Sequence, residues 1–377
     1  MFIHILPGIK HGYTFFDFIA KSFDIKEHIF VFLEHDQEYK KFSALPENKS
    51  NIYYNHLNLS VFEVQGNFRS IANSEILKPN NLNGFSRIFL HGIYDFSLIN
   101  YLIRKHEEID FSRVYYVPLG PSAIEALVYN TGNSQSSIHF QCNNFVNKIK
   151  NIVSTPALHH YFHKTRAKKT KNLDKPKLHY CIYPSNIFEP LDSLKLRIVP
   201  KSKAFIMVGH TAARICGHEE VFKFLSHNLE GNYKIFSPLS YNDESYKNEI
   251  VSTGNILLDR KFKPITKFLN QDVYETLLVN LDAAIFNQNR HIGMANLISC
   301  LGLGKKVYIR HDYPGWQALV DGFGLQLYST NKLLMSNHKI NIKELVYIPD
   351  SVMQHNIKII NNSFSRTAIL KQWSNLF

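Results

Sequence analysis

The chain has 377 residues, of which 45% are hydrophobic and 20% charged, a globular balance that excludes disordered, collagenous and repetitive classes. A formal net charge of +12 points to anionic partners, whether nucleic acid, acidic lipid headgroups or phosphorylated small molecules, or else to a basic surface that serves solubility. The four cysteines, Cys142, Cys181, Cys216 and Cys300, contain no CxxC pair; they match no zinc site and read as buried free thiols of a reducing compartment.

The opening MFIHILPGIKHG lacks a basic leader and reads as a first strand rather than a signal peptide. Strands are then expected at Phe2–Leu6, His28–His35, Arg87–Ile93, Arg113–Gly120 and Leu178–Pro184. The second half repeats the design with runs at Ala204–Gly209, Tyr233–Tyr241, Ile256–Arg260, Leu281–Phe286, Lys306–His311 and Leu325–Thr330. Most of these runs are continuously apolar, as suits strands buried on both faces of a parallel sheet. Helical patterns such as Asp272–Leu281 lie between them. The expected class is therefore α/β, with two doubly wound parallel sheets. The stretch Ser185–Lys203, with two prolines and no clean period, reads as the interdomain connection. No segment approaches the roughly 18 apolar residues of a membrane span, so the expectation is a soluble chain or one held at a membrane surface.

One segment stands apart. Lys164–Lys177 carries seven basic residues against a single acid, Asp174. It reads either as a solvated loop or as a patch for anionic lipid, formed by Lys164, Arg166, Lys168, Lys169 and Lys171, at about 1 kcal/mol per basic residue near an anionic bilayer. It lacks the interleaved aromatics of a single-stranded nucleic-acid surface.

Ligands of open parallel sheets bind beyond the carboxyl ends of the strands. Three predicted strand ends in the second half carry suitable groups. Gly209 ends one strand and is followed by His210, Thr211 and Arg214. This is either a phosphate-binding turn or a plain strand-to-helix turn with Thr211 as its N-cap. Asn287, Gln288, Asn289, Arg290 and His291 follow another strand, and Gly293 then opens an apolar helix containing Met294 and Asn296. The amides suit sugar hydroxyls, and the helix start suits phosphate. Tyr241 follows a third strand, to stack on a base or to serve as an interface tyrosine. Together these ends fit a nucleotide-diphosphate sugar.

At these residues the chain resembles the bacterial TDP-N-acetylfucosamine:lipid II N-acetylfucosaminyltransferases, glycosyltransferase family 56. The resembling stretches are IMVGHTAARICGHEE, SPLSYNDESY and DVYETLLVNLDAAIFNQNRHIGMANLISCLGLGKKVYIRHDYPGWQAL, with weaker echoes in FIHILPG, RIFLHG, YPSN and SFSRTAILKQWSNLF. The resemblance implies GT-B architecture, with two Rossmann-like domains facing a cleft. The domains would be an acceptor domain over 1–190, a nucleotide-sugar domain over 191–355 and a closing helix over 356–377. It implies a donor nucleotide sugar, a lipid-linked or glycan acceptor, no metal or other cofactor, and a cytoplasmic enzyme peripheral on the inner membrane face. Two departures stand out. The family's Gly-Ala-Asp stretch reads Gly120-Pro121-Ser122 here, and His210, Thr211 and Gly217 replace asparagine, serine and asparagine.

Transfer requires stabilisation of the departing diphosphate, assigned to the backbone at Gly209 and Gly293 with Thr211, Arg214, Arg290 and His291. A base for the acceptor hydroxyl is sought in the first half: His91 at a strand end, then His11, then Glu125. The alternative reading of His91 is a histidine hydrogen-bonded at a strand end. Two alternatives stay open. One is a GT-B transferase with another donor, for capsule or lipopolysaccharide. The other is a non-catalytic nucleic-acid binder; the transferase reading expects no nucleic-acid partner.

Overall fold

In the computed structural model, residues 1–6, 8–34, 61–65, 73–92, 96–119, 148–154, 176–189, 202–289, 293–313 and 315–377 are described. They divide into two units, Met1–Ser185 with Leu370–Phe377, and Asn186–Ile369. The boundary placed at 190/191 from sequence falls outside the described residues.

The first unit takes its shape from strands in which aliphatic residues alternate with aromatic residues and histidine. In chain order they are β1 (Phe2–Leu6), β2 (His28–Glu34), β3 (Val61–Gln65), β4 (Arg87–His91), β5 (Val114–Val117), β6 (Asn151–Ser154) and β7 (Lys177–Tyr180). They form a parallel sheet in the order β3-β2-β1-β4-β5-β6-β7, whose direction of growth reverses between β1 and β4. Because side chains alternate between faces, Ile3, Ile5, Val31, Leu33, Ile88, Leu90 and Val114 share one core cluster. It includes Leu98, Ile99 and Leu102 of helix α3 (Phe96–Arg104) and Leu82 of the short helix α2 (Pro79–Leu82). The other face carries Phe30, Phe89 and His4, in register across three strands. Helix α1 (Gly8–Ser22) adds Phe15 to this face, and the C-terminal residues add Trp373 and Phe377. Trp373 is fully buried and donates from Nε1 to the Ile182 carbonyl at 3.0 Å; its burial contributes roughly 2–3 kcal/mol. Arg87 donates to the main-chain oxygens of Leu376 and Phe377.

The second unit contains β8 (Ala204–Val208), helix α4 (His218–Asn228), β9 (Leu229–Glu230), β10 (Tyr233–Pro238), α5 (Glu244–Leu258), β11 (Phe262–Ile265), α6 (Gln271–Asn280) and β12 (Ala283–Phe286). There follow α7 (Met294–Gly302), β13 (Lys306–Ile309), β14 (Tyr328–Ser329), α8 (Thr330–Leu334), β15 (Ile340–Asn341), α9 (Ile342–Val346), α10 (Asp350–Phe364) and α11 (Arg366–Ser374), which enters the first unit at Leu370. Its parallel sheet runs β11-β10-β8-β12-β13-β14, with the reversal between β8 and β12; β9 and β15 pair separately. Ile206, Val208, Ile235 and Ile285 from the strands pack with Val221, Phe222 and Leu225 of α4.

Two sequence expectations are corrected here. Ile256–Arg260, expected as a strand, is the end of α5 and the turn after it. Asp243 caps that helix by accepting from the Tyr246 amide at 3.0 Å. Tyr246, Ile250, Gly254 and Leu258, each four apart, form its buried stripe, while Ile256 is 78% exposed. Helical period therefore governs this run, and the strand comes later, at Phe262. Thr211, the N-cap in the plain-turn alternative, is seven residues short of the helix. α4 begins at His218 behind Gly217, and the Thr211 hydroxyl donates to the Tyr241 carbonyl at 3.1 Å. The short strands β3 and β6 were not anticipated. Cys181, Cys216 and Cys300 are buried free thiols, and Cys142 is outside the described residues.

Candidate functional site

The reversal in the second sheet places the end of β8 beside the end of β12, the position at which open parallel sheets bind ligands. Gly209 leaves β8 with φ +68°, and its amide donates to the Ile285 carbonyl at 3.0 Å. A β-carbon on Gly209 would overlap Nε2 of His218, the first residue of α4. His218 is fully buried; its Nδ1 lies 3.2 Å from the Tyr246 hydroxyl, and its Nε2 has no partner.

Residues after β12 grip the same helix start. Asn287 donates from Nδ2 to Glu220 Oε2 at 2.8 Å and to the Gly217 carbonyl at 3.3 Å, and its buried Oδ1 is unpartnered. His210 is buried, with Nδ1 3.8 Å from Cys216 Sγ. A β-carbon on Gly293 would lie 2.7 Å from that same Nδ1. The two turns are thus in contact through His210. A third turn is tied on: the Ala212 amide donates to the Tyr241 carbonyl at 3.2 Å, and the Asp243 amide to the Ala212 carbonyl at 3.1 Å. At the end of β10 the buried Ser237 Oγ also lacks a partner.

The two helix starts at this edge differ in charge. α4 carries Glu219 and Glu220 in its first turn, which offset its positive dipole end, whereas α7, behind Gly293, has no acid there. The first amides of a helix have no intrahelical acceptor, so the start of α7 is the anion-suited one. Burial drives the pKa of His210 down to about 4. Burial, and then the charge of His210, lowers that of His218 to about 3. Both rings are neutral at pH 7 and act as hydrogen-bonding groups, not cations.

The other expected residues are placed as follows. Arg214 is bidentate on Glu249, at 2.7 and 3.2 Å, and lies over the Tyr246 ring. Tyr241 is 45% exposed and stacks on Phe268 with centroids 5.8 Å apart. Gln288 is buried and Asn289 exposed. Met294 Sδ lies 3.1 Å from the Tyr313 hydroxyl, and Asn296 accepts from the Tyr274 hydroxyl at 2.8 Å. Arg290 and His291 lie outside the described residues, as do Glu125, Gly120-Pro121-Ser122 and the basic residues Lys164, Arg166, Lys168, Lys169 and Lys171. His11 is on α1, with its side chain outside the described set. His91 ends β4 in the first unit. It is buried, and burial lowers its pKa to about 3. Sequence reasoning missed His218, Ser237 and Glu220. The available signal was a histidine directly after Gly217, at a helix start with two acids behind it.

No family model matches the chain, and no curated protein matches it by sequence. Its backbone is similar to that of sucrose-phosphate synthase from Thermosynechococcus elongatus, at 10% identity and TM-score 0.67, covering 100% of this chain and 98% of that one. It is similar to HepE of Anabaena, solved in complex with UDP and glucose, at 11% identity and TM-score 0.63, covering 100% and 99%. A glycosyltransferase from Rickettsia africae matches at 13% identity and TM-score 0.60, covering 100% and 97%. At these identities the likeness establishes the fold, which is GT-B.

Proposed function

We propose that the chain is a glycosyltransferase that binds a nucleotide-diphosphate sugar on its second unit and transfers the sugar to a hydroxyl acceptor. The carrying observation is the β8/β12 edge. The unpartnered His218 Nε2, Asn287 Oδ1 and Ser237 Oγ lie at the strand ends and helix starts of this edge, with the uncompensated start of α7 alongside. A buried polar atom without a partner costs about 1–3 kcal/mol, a cost a ligand rich in hydroxyl and phosphate groups would relieve. The GT-B fold and the UDP complex of HepE support the donor class. The resemblance to family 56 supports a TDP-N-acetylfucosamine-like donor and a lipid-linked acceptor. The basic run around Lys168 supports a place on the anionic cytoplasmic face of the inner membrane. No helix among the described residues is long and apolar enough to cross a membrane. In this reading the helix dipole and main-chain amides hold the diphosphate, and the reaction requires no metal.

UDP and TDP are expected to stabilise the protein by about 2.7 kcal/mol at 100-fold excess over Kd, raising Tm by roughly 5–10 °C, equally with and without EDTA. No shift with any nucleoside diphosphate would refute the reading, and a shift abolished by EDTA would refute its metal-free form.

A further inference from the structure

The first sheet has its own reversal, between β1 and β4, and a line of three histidines crosses it. His91 Nε2 lies 3.2 Å from His4 Nδ1, and His4 Nε2 lies 2.9 Å from His28 Nδ1. All three rings are buried. His4 is sandwiched between Phe30 and Phe89, with interplanar angles of 19° and 14°. Phe15, Phe89, Tyr183 and Trp373 surround His91, and Phe2, Phe23 and Phe377 surround His28. The charged groups acting on the line do so at His28, where the Met1 amino group opposes a proton and, more weakly, Asp24 favours one. At the other end, Nδ1 of His91 has no partner.

Two proton arrangements satisfy both hydrogen bonds with neutral rings. In one, His91 Nε2–H donates to His4 Nδ1 and His4 Nε2–H donates to His28 Nδ1, leaving a lone pair on His91 Nδ1. In the other every proton sits on Nδ1, and His91 carries a buried N–H with nothing to donate to. Orphaned buried N–H groups are rarer than under-used acceptors. The first arrangement prevails.

We propose that His4 and His28 are positioning residues that hold Nδ1 of His91 unprotonated, as the acceptor for a hydroxyl group presented at the carboxyl edge of the first sheet. The ligand class, the alcohol of a sugar acceptor, rests on the transferase reading; the proton placement does not. In transfer, the hydroxyl proton goes to His91 Nδ1, the Nε2 proton of His91 to His4 Nδ1, and the Nε2 proton of His4 to His28 Nδ1. The positive charge ends on His28, toward Asp24, away from the aromatic shell of His91. The oxygen keeps its electron pair and forms the new glycosidic bond, while the diphosphate leaves with the pair of the broken one.

Nitrogen-15 spectra of histidine-labelled protein at pH 7.5, assigned with His91→Gln, test the placement directly. His4 and His91 are expected to be protonated at Nε2 alone. His4→Phe, whose ring suits the Phe30–Phe89 stack, is expected to leave His91 as a mixture of tautomers. Nucleoside diphosphate release with methyl glycosides as acceptors, using the tightest-binding nucleotide sugar, should fall at least 10-fold at unchanged donor KM. His28→Leu, which offers His4 Nε2–H no acceptor, gives a second break in the line, with the same expectation, should His4→Phe fail to fold. A wild-type His91 protonated at Nδ1, or wild-type release by a folded variant, would overturn the proposal. Failure of every nucleotide to bind would instead defeat the transferase reading, with the spectra still deciding the proton placement.

Discussion

Gly209→Ala is expected to destabilise the second unit by about 2–5 kcal/mol. Left-handed backbone costs a non-glycine residue roughly 1–2 kcal/mol, and overpacking adds about 1–3 kcal/mol. The overpacking arises because the new methyl would overlap the imidazole of the buried His218. Gly324 provides the internal control. Its φ is +76°, close to the +68° of Gly209, but a β-carbon there meets nothing nearer than Ile359 Cδ1 at 3.9 Å. Gly324→Ala should therefore cost only the backbone part, about 1–2 kcal/mol, and leave nucleotide binding intact. Urea unfolding of both variants, with UDP titrations of each, separates the two contributions. Equal costs at the two positions would show that His218 is not held against Gly209.

Acid is expected to unfold the protein well above the pH at which most carboxylates titrate. His28 and His210 are pushed down to about 4, and His91 and His218 to about 3, burial being the largest cause for each. His4 is lowered too, by burial and then by its two histidine neighbours. Below the unfolded value near 6.5, the unfolded chain takes up protons that the folded chain refuses. The stability contributed by neutral imidazoles is thus full above about pH 7 and is lost as pH falls from 6.5 toward 4. At pH 5 the loss is on the order of 2 kcal/mol per imidazole, and each unit holds at least two such rings. Against a domain stability of roughly 5–15 kcal/mol, that is enough to populate unfolded protein. Urea midpoints measured from pH 7.5 to pH 5 test this, and His4→Phe should flatten the profile. Stability unchanged over that range would contradict the buried, neutral state of these rings.

Much of the architecture was legible because it rests on local patterns. Runs such as AFIMV and LDAAIF are too short for helices and too apolar for surface strands, and a glycine or a polar run marks their ends. The strand assigned to Ile256–Arg260 failed because a five-residue window hides the i, i+4 stripe that begins at Tyr246. At the β8/β12 edge the sequence marked Gly209, His210 and Asn287 beside strand ends and Gly293 at a helix start. It did not mark His218, since its importance comes from contact with Gly209, nine positions earlier in the chain. Nor could it separate the two helix starts, because the weight of Glu219 and Glu220 depends on where the helix begins, at His218 rather than near Thr211. The line of His4, His28 and His91 was wholly illegible. These residues are far apart in the chain, and only the strand order β2-β1-β4, in this register, brings their rings into line.

The most direct test is a crystal structure with bound UDP. Its diphosphate is predicted to lie on the main-chain amides at the start of α7, at the carboxyl edge between β8 and β12, with the nucleotide partnering His218 Nε2 or Asn287 Oδ1. A diphosphate bound at the opposite edge of that sheet, or on the first unit, would contradict the account.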